Sequence, residues 1–202
     1  KNGQSSGDLE GFLDILGLDE APMGVCYSDT EPEGGLSPKP QTPVSREAED
    51  KGEVDWPAVM ENFSCVLGHV WRARKKGTAA CFDRERFGCI GGAFYLGFMK
   101  PYLRMHPPFI STGLPGVFPG ERYAASPETA AAFFDAMEPP PAPKRWCVIQ
   151  PMERFGEGPP PDVVVFFGRP EVMSGLSFLT AFITDNIEAV KTPFGPGCSG
   201  LV

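Results

Sequence analysis

Six cysteines and two histidines carry most of the reactive chemistry available to this chain of 202 residues. Thiolates and imidazoles bind soft and borderline metal ions, and the thiolate is also a strong nucleophile. Cys65, Cys81 and Cys89 fall in one stretch, Asn62 to Gly97 (NFSCVLGHVWRARKKGTAACFDRERFGCIGGAFYLG), together with His69. Cys26, Cys147 and Cys198 lie far from it. The spacings Cys65–x15–Cys81 and Cys81–x7–Cys89 contain no CxxC pair. That argues against a zinc ribbon or a thioredoxin-type motif. No Walker loop, HExxH, dinucleotide fingerprint or Ser-His-Asp set is present, so the common hydrolase, kinase and dehydrogenase readings lack support.

The elements that must position these groups follow from local patterns. Asp55 is placed to cap a helix entered through Trp56-Pro57, and Val59, Phe63, Val66, Leu67 and Val70 recur at helical spacing. Arg72, Arg74, Lys75 and Lys76 collect at its end before Gly77, where cations complement the helix dipole. On one such helix Cys65 and His69, four residues apart, share a face. Thr78–Phe82 reads as a short strand. Cys89 then opens a second apolar run, CIGGAFYLGF. If that run is helical, free N–H groups in its first turn favour a thiolate at Cys89. Gly91 and Gly92 weaken a helix, so they predict a close approach of backbone to a cluster, a ligand or a neighbouring element.

Elsewhere, Leu9, Phe12, Leu13 and Leu16 predict a short amphipathic helix ending at Gly17, and PMGVCYS (residues 22–28) a strand with Cys26 in the core. Residues 29–54 read as an exposed polar loop. Phe98–Phe118, rich in proline yet apolar, is expected to pack on the body as a pocket wall, with Arg104 and His106 as its polar groups. His106, directly before Pro107-Pro108, is expected in an extended segment, as a surface or satisfied histidine or else a ligand or acid/base. Ser126-Pro127-Glu128 starts a helix to about Met137, and the prolines at 139–143 end it. Arg145–Gln150 is a strand with Cys147 in the core. Asp162–Gly168 reads as a central strand covered on both faces. Pro170 opens a helix with Val172, Met173, Leu176, Leu179 and Phe182 or Ile183 on a buried face. Arg169, between that strand and that helix, is an anion-contact candidate. Together these predict one α+β domain over residues 1–202, with a mixed β-sheet built on a central apolar strand at about 162–168, several helices and long Pro/Gly-rich loops.

A net charge of −8 and a pI near 4.8 argue against a nucleic-acid partner. No run of about 18 apolar residues predicts a membrane span. The start lacks the apolar core of a secretion signal, so a cytoplasmic location with reduced thiols is expected. Cys198 stands among Gly195, Gly197 and Gly200, whose backbone N–H groups are free to surround a sulfur or oxyanion. The chain stops just beyond, and a further C-terminal segment is expected.

The string Cys65…Ala73-Arg74-Lys75-Lys76-Gly77…Cys89-Ile90-Gly91-Gly92-Ala93…Leu96-Gly97 resembles the Domain of Unknown Function 169 family. Pro161–Val165 followed by Pro170 and an apolar helix is similar to its later half, as are Ile149-Gln150-Pro151 and the Gly/Cys loop at Cys198. The likeness runs from about Leu16 onward, and its most specific element is the C-x-G-G-A-x-x-L-G run. It implies functional cysteines at Cys65, Cys89 and Cys198, and none at Cys26, Cys81 or Cys147. It also implies an origin in anaerobic bacteria or archaea, and it brings no established activity.

Two functional readings follow. In the first, Cys65, Cys89 and Cys198 hold an iron–sulfur cluster, with zinc as the alternative metal, while Gly91 and Gly92 give the group room. The fourth position is then left to His69, Cys81, solvent or substrate, with a redox partner or small molecule served there. In the second, a metal-free module binds a small acidic metabolite through Arg104 or Arg169, or Cys89 works as an activated thiol. Cysteines simply packed in a core are the bland third case. The reaction, the substrate and the oligomeric state are not written in the sequence.

Overall fold

The computed structural model describes every residue except 1–4, 19–20, 138, 157, 185, 187, 191–194, 196 and 199–202, with residues 5–9 described by backbone alone. The side chain of Leu9, and Gly200 with the Leu201-Val202 end, therefore lie outside the described residues. In chain order the elements are α1 (Ser5–Leu16), β1 (Met23–Ser28), α2 (Arg46–Asp50), α3 (Trp56–Glu61), α4 (Val66–Lys75), β2 (Ala80–Phe82), α5 (Ile90–Tyr95), α6 (His106–Ile110), β3 (Gly113–Leu114), β4 (Phe118–Pro119), α7 (Pro127–Ala136), β5 (Trp146–Pro151), β6 (Val163–Val165) and α8 (Pro170–Ile183). The fold is α+β.

One four-stranded sheet, ordered β2-β5-β1-β6, is the platform, and all its named pairings are antiparallel. Register sorts its side chains by face. Val25, Ile149 and Ala80 stand in one cross-strand row, and Tyr27, Cys147 and Phe82 in another on the same side. That side joins the main core with the helices, including Val66, Val70, Ile90, Phe94 and Phe134. Cys26, Val148 and Cys81 form the intervening row on the other side, in a smaller cluster with Ala79 and Trp146. There Gly35 lies so close over the Cys81 sulfur that a Cβ at 35 would collide with it. Cys147 is fully buried, as its place in an apolar strand foretells.

Four expectations need correction. Residues 162–168 are not a central strand: β6 is a three-residue edge strand with Val163 and Val164 exposed, and the sheet is antiparallel rather than mixed. An unbroken apolar run does not say how many neighbours a strand has. The apolar residues of α8 are not buried; Phe178 and Phe182 are among its exposed side chains. Residues 29–54 are not a free loop. Leu36 bridges Ala80, Gln41 is buried, and Ser45 caps α2, whose Arg46 donates to the Tyr102 carbonyl. Finally, the helix drawn through residue 65 is two helices. The Ser64 amide donates to the carbonyl of Gly88 at 2.9 Å instead of continuing α3, so α4 restarts with Cys65 as its N-cap residue.

Among the described residues no helix is long and apolar enough to cross a membrane.

Candidate three-thiol site

Two chain segments run side by side at the start of α4 and α5. The Ser64–Gly88 backbone bond places Cys65 next to Cys89 in sequence terms on both sides, each at the N-cap of its helix. Gly88 has φ +79°, and a Cβ there would stand 2.8 Å from the Ser64 carbonyl oxygen, so this approach needs glycine. Gln41 holds the same residue: its Nε2 donates to the Gly88 carbonyl at 2.9 Å, and the Gly88 amide donates to its Oε1 at 2.7 Å.

The Cys89 sulfur accepts from the amide of Gly92 at 3.2 Å. Gly92 makes this meeting of helices possible, because a Cβ there would clash with Cγ2 of Val66. The pair Gly91-Gly92 is unequal: Gly92 admits a neighbouring element, whereas a Cβ at Gly91 would only reach ordinary contact, 4.0 Å, with Cε2 of Tyr95.

Cys198 comes to the same region. A Cβ on its neighbour Gly197 would lie 2.8 Å from Cδ1 of Leu67, in the first turn of α4, and Cys198 itself is buried in the main core. The sulfurs are near enough to feel one another's charge. Burial first, then neighbouring Cys89 and Cys65, push the Cys198 thiol far above its usual range. Burial also raises Cys89, to about 11, against the opposing help of the Gly92 and Val66 amides, with Cys65 raising it further. The expected ready thiolate at Cys89 is therefore not found: desolvation outweighs the N–H groups. Cys65 is exposed. Among the described residues, no three His, Cys, Asp or Glu side chains are gathered closely enough for a single metal ion.

The fourth-ligand candidates sit elsewhere. Cys81 lies on the other side of the sheet, its thiol raised to about 12 by burial and by Glu31. His69 follows Cys65 by one turn, but its ring is engaged by the Ser64 hydroxyl at 2.9 Å and by the Arg72 guanidinium at 3.0 Å, and it packs edge-on to Phe82. Burial and Arg72 lower it to about 4. The groups that do border the thiols were not singled out in the sequence. They are Tyr95, Tyr123 and Glu121: burial first, then the cysteines and Glu121, raise the two phenols. Burial raises the Glu121 carboxyl. For Tyr95 a signal existed, since it stands one turn after Gly91 in the apolar run.

The remaining sequence candidates are placed as follows. His106 opens α6 fully buried, not extended, its ring tilted against those of Phe94, Tyr102 and Phe134. Arg104 is paired with Asp50. Arg169 lines a cavity of about 420 Å³ with Trp71, Arg74, Phe166, Phe167 and Met173. There the Arg74 guanidinium lies 4.5 Å from the Trp71 ring centre and 4.4 Å from that of Phe167.

The model of the uncharacterised ArCR family, DUF169, matches residues 12–202 of the chain. No curated protein and no solved structure matches it.

Proposed function

We propose that this chain, which belongs to the DUF169 family, is a metal-centre protein whose Cys65, Cys89 and Cys198 hold an iron–sulfur cluster. The observation that carries the reading is the Cys89 sulfur. It accepts the Gly92 amide at 3.2 Å at the N-cap of α5, beside the start of α4 where Cys65 stands, and burial raises its pKa. An N–H group aimed at sulfur stabilises negative charge there, and a bound cation would lower the thiol pKa further. The donor set is soft, which favours iron–sulfur or zinc over harder ions. A single ion needs the three sulfurs to close in, because no such tight group exists among the described residues. A cluster of several irons is wider than one ion and asks for less movement.

With His69 tied to Ser64 and Arg72, and Cys81 across the sheet, the proposed ligands are Cys65, Cys89 and Cys198, and a fourth position would be left to solvent or substrate. A bound cluster would supply Lewis-acid or electron-transfer chemistry at that position. The chain's own part is to bury Cys198 and half-bury Cys89, to donate the Gly92 amide hydrogen to Cys89, and to leave the Cys65 side exposed for entry.

Anaerobic reconstitution with iron and sulfide tests this. The expected product is brown, absorbs near roughly 400 nm, and contains iron with acid-labile sulfide. Cys89→Ser and Cys198→Ser each abolish it. Colourless protein with stoichiometric zinc transfers the site to zinc, and protein that takes up neither metal overturns the reading.

A second reading is favoured by the cavity at Arg169. Its two arginines and three aromatic rings suit a planar anionic metabolite. Trp71 fluorescence, quenched on titration with nicotinate as the probe, is the corresponding measurement.

A further inference from the structure

Residues 43–48 cross a hollow instead of filling it. The segment is pinned at both ends. Upstream, the Gln41 amide donates to the Glu85 carbonyl at 2.7 Å, and the Gln41 side chain holds Gly88. Downstream, Glu49 accepts the amides of Arg104 and Met105, and Arg46 donates to the Tyr102 carbonyl. Pro43, with its fixed φ, stiffens the span between. Beneath it lies a cavity of about 310 Å³, at the small end of the range for ligand sites.

The floor is apolar. Phe87, Ala93, Phe98 and Met99 line it as members of the main core, and Val44 and Ala48 line it from the pinned segment. Protein interiors are close-packed, so an apolar hollow of this size is space for a guest. Two polar groups border the same cavity. Ser45 Oγ accepts the Ala48 amide at 3.1 Å, which leaves its hydroxyl hydrogen for a further acceptor. Arg84 is exposed, and its guanidinium has neither a hydrogen-bond nor an ion-pair partner among the described residues.

Arg84 also lines a second cavity, of about 530 Å³, together with Lys144 and Arg145, so it stands where the two meet. Asp83 in that cavity is engaged by its own turn. Its Oδ1 accepts the Glu85 and Arg86 amides at 2.9 and 2.7 Å, and its Oδ2 lies 3.6 Å from the Arg86 guanidinium. Three cations then stand against the Glu85 carboxylate, a positive place on a chain of net charge −8.

We propose that the cavity beneath residues 43–48 binds a small carboxylate with an apolar tail, the tail on Phe87, Phe98 and Met99 and the carboxylate on Arg84. A guanidinium offers parallel N–H groups that match a carboxylate, and Lys144 and Arg145 keep the surroundings positive. No cysteine lines either cavity, so this site stands or falls apart from the three thiols.

Octanoate is the probe, titrated calorimetrically into the full chain as purified. The wild type should bind it saturably, and more tightly than octanol, which lacks the charge, or acetate, which lacks the tail. Arg84→Gln should weaken octanoate about tenfold or more, the effect of losing hydrogen bonds to a charged group, and should leave octanol unaffected. Ala48→Leu, which fills the hollow from the pinned segment, should abolish octanoate binding while the thermal midpoint stays equal or rises. Absence of saturable binding by the wild type, equal affinity for octanol or acetate, or undiminished octanoate affinity in Arg84→Gln would each overturn the inference. Full binding by a folded Ala48→Leu protein would overturn it too; if that variant does not fold, Arg84→Gln decides alone.

Discussion

Gln41 clasps Gly88 by both of its backbone groups across 47 residues of chain, and Gly88 in turn receives the Ser64 amide. Through these bonds a segment that reads as loop sets the positions of Cys65 and Cys89.

Gln41→Ala leaves the Gly88 amide without its acceptor in a buried place. A loss of about 2 kcal/mol in folding stability is expected, with reduced iron uptake at matched protein concentration. Urea midpoints and iron analysis check this. A variant of wild-type stability with full iron content contradicts the bracing role.

Gly91 and Gly92 should respond oppositely to alanine. At Gly92 a Cβ meets Val66, so Gly92→Ala should cost about 1–3 kcal/mol by overpacking and should weaken the site. At Gly91 the nearest atom is at ordinary contact distance, so Gly91→Ala should be neutral or stabilise α5 by up to about 1 kcal/mol. Thermal unfolding of the two variants distinguishes them.

The thiols carry a reactivity order. In metal-free protein at pH 8, iodoacetamide should label exposed Cys65 first. Cys89, raised to about 11, and Cys147, raised beyond the usual range by burial, should react at least about tenfold more slowly. Mass spectrometry of tryptic peptides reads the order. Fastest labelling at Cys89 would restore the activated-thiol reading that its burial speaks against.

His106 makes stability depend on pH. The Leu103 amide donates to its Nδ1 at 2.9 Å, and burial lowers its pKa to about 4 from 6.5, against the Ile90 carbonyl and helped by Arg46. The unfolded chain takes up this proton first, so stability is full above pH 6.5 and falls as pH drops toward 4. The loss is on the order of 3 kcal/mol for this group. His69, lowered to about 4 as well, adds to it. His106→Asn should reduce the slope of urea midpoint against pH in that window without removing the His69 share. An unchanged slope refutes the assignment.

What the sequence determined by itself was local. Asp55 capping α3, the basic last turn of α4 before Gly77, Ser126-Pro127 opening α7, and the strands at 23–28 and 146–151 depend on neighbours within a few residues, and all can be read from them. Cys65, Cys89 and Cys198 were singled out by family-like motifs rather than by spacing, and their role belongs to the proposal. Tertiary structure alone decided the rest. The break before Cys65 comes from a hydrogen bond to Gly88, 24 residues on (88 − 64), which no local pattern encodes. The edge place of β6 and the exposed face of α8 depend on which surfaces find partners, and an apolar run carries no such record. The protonated state of Cys89 follows from water being excluded around it, a property of the whole packed molecule that overrides the local amides.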